Sequence, residues 1–501
     1  MHAVVIGAGF GGLSAAIRLR AKGYKVTVLE ANEQAGGRAA VWRQDGFTFD
    51  AGPTVITAPY LLHELWDLVG RDHREYFELL PVDPFYRVDF SDGSTFDYVG
   101  DEDRIVDQIR AMSPDDVDGY RRLAAHAEQI FDIGYTELAD VPFDTVGEML
   151  RVVPDLVKLE NYKTVYQLVA KYIQDERLRQ VFTFQPLLVG GNPFQTTSIY
   201  MLIHWLERKW GVWFAKGGTT SLVDAMMRLL DELDVDVRLS APVEKILVEN
   251  GHTTGVVVNG ETLACDIVVS NADPSTTYTK LIEKRHRFRN SDLRVNLTKQ
   301  SMSLFVTYFG TDRVYDDVRH HTIVLGPRYK GLLHDIFNRK VLADDHSLYL
   351  HRPTVTDSSL APDGCDAFYV LSPVPNLEGG QDWEDLHEIY EDRILESLEQ
   401  RGLPNLRDHI VTKKSVDPRY FQERLRSTSG AAFGPEPIFR QSAWFRYHNR
   451  SPDVAGLYFV GAGTHPGAGV PGVLCSSKVL ERVVPTPQVQ IPLPRTRAVA
   501  S

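Results

Sequence analysis

Apolar residues run unbroken over Ala3–Ile6, then recur every three or four positions at Leu13, Ala16, Ile17 and Leu19, and run again through Val26 and Val28. The pattern predicts a buried strand, a helix closed by Gly23 at its C-terminal cap, and a second strand ending at Glu30. Such a β–α–β unit has parallel strands and a right-handed crossover. Between about 60 and 215 the period is mainly helical, interrupted by one hairpin signal at Tyr86–Phe90, Ser91-Asp92-Gly93-Ser94 and Thr95–Tyr98. Residues 219–233 predict an amphipathic helix. Val235–Leu239, Val243–Val248, Thr254–Val258 and Thr262–Ala264, with turns at Asn250-Gly251 and Asn259-Gly260, read as a β-meander returning to a buried strand, Ile267–Val269. Strands follow at 303–309, 347–351 and 367–372, then a long helix at 382–401. Gly456–Val460 is a last strand, leading through a Gly/Pro-rich loop to a helix near 473–484. Residues 485–501 hold four prolines and no apolar period, and are expected to be a disordered tail. No internal repeat is found.

Composition narrows the classes. With 43% apolar and 24% charged residues the chain is globular, and 501 residues allow about three structural units. Lys+Arg total 54 against 67 Asp+Glu, a net charge of −13 that argues against nucleic acid as a partner. Cys265, Cys365 and Cys475 form no CxxC, and the sixteen histidines look scattered, so neither a disulfide framework nor a metal site is expected. The sequence opens directly on a strand, so no secretory leader is expected, and no run reaches the ~18 apolar residues of a membrane span. A cytoplasmic protein is expected, with attachment to a membrane surface left open.

Three glycine-rich motifs carry chemistry. Gly7-x-Gly9-x-x-Gly12 lies between strand and helix, where Gly7 permits a tight turn, Gly9 lets backbone approach a pyrophosphate, and Gly12 lets helix and strand pack closely. Glu30, 18 residues after Gly12, is placed to accept ribose hydroxyls and would repel a 2′-phosphate. Gly36-Gly37-Arg38 follows the second strand, its arginine offering paired donors to phosphate. Phe49-Asp50-Ala51-Gly52-Pro53 supplies another close backbone approach or a simple turn. Val460–Val473 mixes glycine and proline ahead of a helix, either as a flexible loop or as backbone donors set against a ligand. An NAD-type domain has no need of the second motif, so the set favours FAD.

Together these residues resemble the bacterial phytoene desaturases, carotenoid dehydrogenases of the flavin amine oxidase-like superfamily. The resemblance extends to about residue 482, and GFTFDAGPTVIT (46–57) and GAGTHPGAGVPGV (461–473) are its most particular stretches, with Leu187–Pro193 and Gly211–Gly218. It implies an α/β fold: a Rossmann-like FAD-binding domain, parallel sheet plus β-meander, assembled from 1–58, 215–289 and 441–484. Residues 59–214 and 290–440 would form a mixed sheet/helical domain facing substrate and membrane. Carried onto this chain, the family's FAD contacts would be Gly7, Ala8, Gly9, Phe10, Gly11, Gly12, Glu30, Gly37, Arg38, Thr54, Val55, Val243, Gly463, Pro471, Gly472 and Val473. Thr464 stands where many related flavoproteins carry an acidic residue for the ribityl chain.

The implied substrate, phytoene, is a hydrocarbon without polar atoms, so it demands an apolar tunnel. The implied reaction passes a hydride to flavin N5 and a proton elsewhere, with quinone or oxygen as final electron acceptor. Glu148 and Arg151, at i,i+3 spacing in a predicted helix, are the candidate catalytic pair, or else a surface ion pair. Trp205, Trp210 and Trp213, beside Arg208, Lys209 and Lys216, suit a tunnel wall, an interfacial belt or plain core packing. Neurosporene or lycopene is the expected product. The alternatives are a diapophytoene or 3,4-desaturase, a carotenoid isomerase, a non-catalytic prenyl-lipid escort of the same architecture, and an amine oxidase.

Overall fold

A computed structural model describes residues 1–494. β1 (His2–Ile6), α1 (Phe10–Ala21) and β2 (Lys25–Leu29) form the predicted parallel unit. β1 is central in a five-stranded parallel sheet ordered Leu457–Phe459, Ile267–Ser270, β1, β2, Asp236–Arg238. Its inner strands read as unbroken apolar runs because helices cover parallel sheets on their faces. Segments from both ends of the chain and from its middle therefore share one layer. The sequence pattern places Asp236–Arg238 in the meander; the structure pairs it with β2 instead. A strand that directly follows the helix Thr220–Glu232 completes a parallel crossover. The meander proper has three antiparallel strands, Val243–Glu249, His252–Val258 and Glu261–Ala264.

The second sheet has seven strands, ordered Ile410–Val416, Ser303–Thr311, Asp366–Val374, Leu348–His351, His321–Val324, Tyr86–Asp89, Thr95–Tyr98. It is mixed, with one parallel pair between His321–Val324 and Tyr86–Asp89. Period-2 alternation gives it two different faces. Phe305, Phe309, Phe368 and Val370 pack with Trp383, Tyr390, Ile394 and Leu398 of the helix Trp383–Gln400. Leu304, Val306, Tyr308, Tyr369 and Leu371 point the other way, into a cavity. A hairpin the sequence reading lacked, Val41–Gln44 with Phe47–Asp50, turns at Asp45-Gly46, both at positive φ.

Residues 485–494 do not form the free tail that was expected. Arg20, buried in α1, donates from Nη1 to the Ile491 carbonyl at 2.9 Å and from Nη2 to that of Pro492 at 2.7 Å. The Ile491 N–H bonds the Gly23 carbonyl at 2.9 Å, and Leu493 packs on the core. A buried guanidinium needs acceptors, and this segment provides them. The remainder of the expected tail, 495–501, lies outside the described residues.

Candidate active site and cofactor cradle

A cavity of ≈ 590 Å³ runs from the glycine motifs to the inner face of the large sheet. At one end, α1 and the helix Val470–Val483 both begin on it, and neither has a side-chain cap. Uncapped helix starts present unsatisfied N–H groups and positive potential. The glycines around them are sterically required. A Cβ on Gly12 would lie 1.9 Å from the Gly7 carbonyl oxygen, and one on Gly11 would lie 2.4 Å from Asn271 Oδ1 and 2.9 Å from Gly461 Cα. Gly461, at φ +93°, would likewise meet Asn271 Oδ1 at 2.4 Å. Asn271, which follows the strand Ile267–Ser270, is thus the spacer on which the N-terminal and C-terminal glycine clusters close. Sequence reading missed it, because its role exists only once those clusters meet.

Glu30 is buried at the end of β2. Its Oε2 accepts the Ala8 N–H at 2.7 Å, and its Oε1 accepts from Asn32 N and Nδ2, both at 2.9 Å. Arg38 donates from Nε to the Ala432 carbonyl at 2.7 Å and from Nη2 to Ser427 Oγ at 3.3 Å. Burial holds its pKa below the ordinary arginine value, and nearby Asp273 opposes that shift. A half-buried cation bonded to neutral acceptors beside two uncapped helix starts suits a bound diphosphate. Thr54 Oγ1 lies 2.7 Å from the Tyr369 hydroxyl and 3.2 Å from that of Tyr349, which ties the 53–55 turn to the large sheet.

Most predicted contacts line the cavity: Gly7, Gly9, Phe10, Gly11, Glu30, Gly37, Arg38, Thr54, Val55, Val243, Pro471, Gly472 and Val473. Ala8, Gly12 and Gly463 lie behind it. Ala8 serves through its N–H to Glu30, and Gly12 through its contact with Gly7. Gly463 serves by close approach, since a Cβ there would lie 2.2 Å from Pro274 Cδ. Thr464 is fully buried and donates its hydroxyl to the Tyr447 carbonyl at 2.6 Å, so it fastens its own loop. Arg446, another residue the sequence reading lacked, holds that loop too, donating to the carbonyls of Ala462 at 2.6 Å and Thr464 at 3.0 Å.

The proposed pair Glu148 and Arg151 is not brought to the cavity. Glu148 completes a capping box with Thr145 at the start of the helix Val146–Lys158, and Arg151 is exposed. The i,i+3 spacing does lie within one helix, but the face turned inward carries Met149, Val152 and Leu156. The tryptophans are packing residues: Trp210 lies against Tyr60, Phe131 and Tyr135, and Trp213 Nε1 donates to the Trp210 carbonyl at 2.6 Å. The cavity wall from that segment comes from Tyr200, Leu202, Ile203, Leu206 and Glu207. Not all of the sixteen histidines are scattered. His320, His321 and His351 meet behind Tyr349, with one ring nitrogen from each within 4.8 Å of the others. Burial lowers all three pKa values, that of His320 to about 3, so the rings are neutral.

Comparison with known proteins fits this geometry. The family described as flavin containing amine oxidoreductase matches residues 10–478. A lycopene-forming phytoene desaturase of Pseudescherichia vulneris is 49% identical over 477 residues, covering 95% of this chain and 97% of its own. A neurosporene-forming phytoene desaturase of Rhodobacter capsulatus is 43% identical over 506 residues, covering 100% and 96%. Among solved structures, an oxidoreductase from Methanosarcina mazei superposes with a TM-score of 0.64 at 17% identity, covering 96% of this chain and all of that one, which speaks to the fold alone. The chain belongs to the flavin-containing amine oxidoreductases and, within them, to the phytoene desaturase family. It is an FAD-dependent oxidoreductase acting on CH–CH groups.

The cradle described above is where these residues would hold FAD. Arg446→Met, which removes charged donors from the 462–464 carbonyls, is expected to leave the fold intact and weaken FAD retention at least tenfold. Each hydrogen bond from a charged group contributes about 1.5–3 kcal/mol, and tenfold is about 1.4 kcal/mol. Flavin fluorescence on dilution measures the release, and retention equal to wild type would contradict this role.

Proposed function

We propose that the protein desaturates phytoene in successive steps and that lycopene is its end product. The observation that carries this reading is the continuity of the cavity: the cofactor cradle opens directly onto walls of Leu304, Val306, Ile323, Leu332, Ile336 and Leu371. Such walls fit a long hydrocarbon and offer a polar substrate almost nothing to bond. The lycopene-forming relative shares more of its sequence with this chain than the neurosporene-forming one, which favours the longer reaction series. Bound FAD supplies the two-electron oxidant. The protein's own part is to exclude water, hold the polyene extended along the sheet face, and receive the proton that leaves. On this reading 1–58, 215–289 and 441–484 make the cofactor half and 59–214 with 290–440 the substrate half.

The substrate would enter from a membrane. Phe439 both lines the cavity and is 48% exposed, which marks a mouth. Beside it the helix Val146–Lys158 turns Met149, Val152 and Leu156 to the cavity while Leu150, Val153 and Val157 face outward, Leu150 at 66% exposure. A helix apolar toward both cavity and outside, with Arg151 and Lys158 able to reach headgroups, suits a position within the interface. No helix among the described residues is long and apolar enough to cross a membrane. Electrons would pass from the cofactor to quinone or oxygen. Expression in cells that accumulate phytoene tests the reading. Red extracts with lycopene as the main pigment are expected; neurosporene as the end point would overturn the product, and unchanged phytoene the function.

A further inference from the structure

We infer that Glu207 is the group that takes the proton leaving the substrate carbon. The inference rests on the desaturase reading above. Converting CH–CH to C=C removes a hydride from one carbon, and both its electrons go to the cofactor. The neighbouring C–H then breaks, its electron pair becomes the new π bond, and its proton needs a lone pair nearby. The wall is mainly apolar, and the His465 ring that also lines it, though its nitrogens are unpartnered, is held by burial to about 3 and is a weak proton acceptor.

Among the described residues, two carboxylates line the cavity, Glu30 and Glu207. Glu30 stands in the cofactor cradle with both oxygens bonded to Ala8 and Asn32. Glu207 lies on the helix Leu202–Trp210, between the cavity and the large sheet, and is 1% exposed. Its Oε1 accepts the Tyr86 hydroxyl at 2.7 Å. Its Oε2 has no hydrogen-bond partner. A buried carboxyl oxygen left without a partner costs free energy, and a position on the wall of a reaction cavity gives it a use.

The groups around it set its protonation. Tyr86 and Tyr98 face it from the hairpin strands Tyr86–Asp89 and Thr95–Tyr98, His204 and Arg208 share its helix, and Tyr120 packs beside His204. On the far side of Tyr86 lies the His321 ring, 5.7 Å from it. Burial pushes Glu207 up to about 8, with the Tyr86 and Tyr98 hydroxyls opposing. Burial holds His204 at about 3 and raises both tyrosines well above the ordinary value. Arg208 turns its charge outward, to Tyr120 at 3.1 Å and Glu102 at 2.9 Å. Glu207 is thus the member of this group that changes protonation near neutral pH, and a carboxylate so raised is a stronger base than an ordinary one. The Tyr98 hydroxyl bonds His204 Nδ1, so polar side chains lead onward from Glu207 toward exposed Glu102.

Glu207→Gln keeps the shape and an acceptor for Tyr86 but cannot take a proton. The experiment uses FAD-loaded protein with phytoene in phosphatidylcholine liposomes, reading desaturated product over roughly pH 6.5–9. The wild-type rate should rise with pH through a midpoint near 8 as the carboxylate form grows. The Gln variant should bind FAD normally, run about 100-fold slower and lose that rise. Glu207→Asp should keep the rise at a reduced rate. A Gln variant within about threefold of wild type, or a flat wild-type profile, overturns the inference. If the Gln variant fails to hold FAD, the wild-type profile and the Asp variant decide. A wild-type protein that desaturates while the Gln variant matches it sinks this role alone; a wild type that never desaturates phytoene sinks the functional reading and this role with it.

Discussion

Gly12→Ala is expected to yield a protein that no longer retains FAD. The added Cβ would sit 1.9 Å from the Gly7 carbonyl oxygen and 3.1 Å from the Gly7 carbonyl carbon. Both are backbone atoms, so no side-chain rotation relieves the clash. α1 must lift from the turn that follows β1, and the uncapped helix start that would meet a bound diphosphate moves with it. Overpacking costs about 1–3 kcal/mol in cores that can adjust, and a backbone contact belongs at or above the upper end. At 1.4 kcal/mol per factor of ten, FAD affinity falls by about 100-fold or more. The flavin-to-protein absorbance ratio after gel filtration measures it. Gly93→Ala is the control: that glycine, at φ +85° in a hairpin turn away from the cradle, has nothing within 4 Å, so FAD content should not change. A Gly12→Ala protein that elutes fully loaded would refute the account.

The glycine-rich segments were legible because their chemistry is written in local backbone demands. A tight turn, a close helix and an uncapped start each leave a glycine at a fixed offset, so the segments 7–12, 36–38 and 461–473 could be read one by one. The Asp45-Gly46 hairpin carries the same kind of signal, two adjacent residues at positive φ. The large sheet was less legible because its side chains meet through strand register. His321 and His351 are 30 positions apart and become neighbours only through the pairing of their strands. Glu148 and Arg151 show the limit of spacing: i,i+3 places two residues on one helix face without saying which face turns inward. Glu207 did leave a trace. It continues the apolar series Ile203, Leu206 at helical spacing, and a charged residue in an apolar stripe is the informative exception. Asn271 and Arg446 left none, since each acts on backbone brought in from elsewhere.

The two sheets depend on each other through the cavity, so the large sheet's stability is a functional matter. Asp366 opens the strand Asp366–Val374, which supplies Tyr369 and Leu371 to the wall and pairs with the strand carrying Tyr308. It is 1% exposed and accepts Arg352 Nε at 2.9 Å, the Tyr315 N–H at 2.8 Å and the Thr354 hydroxyl at 2.5 Å. Arg352 is buried as well, with Nη1 donating to the Val318 carbonyl at 3.0 Å and Nη2 at 3.9 Å from the exposed Asp316 carboxylate, a long contact that replaces little of Asp366. Asp366→Ala therefore strands a buried guanidinium, which is expected to cost about 3–5 kcal/mol. Denaturant unfolding followed by tryptophan fluorescence reads the loss, and the cavity wall should loosen enough to slow desaturation. Asp366→Ala combined with Arg352→Met removes both charges and should recover part of the deficit, because an apolar pair of similar volume is often no worse than a buried ion pair. Equal losses in the single and double variants would show instead that the Tyr315 and Thr354 bonds, and not the ion pair, hold the start of this strand.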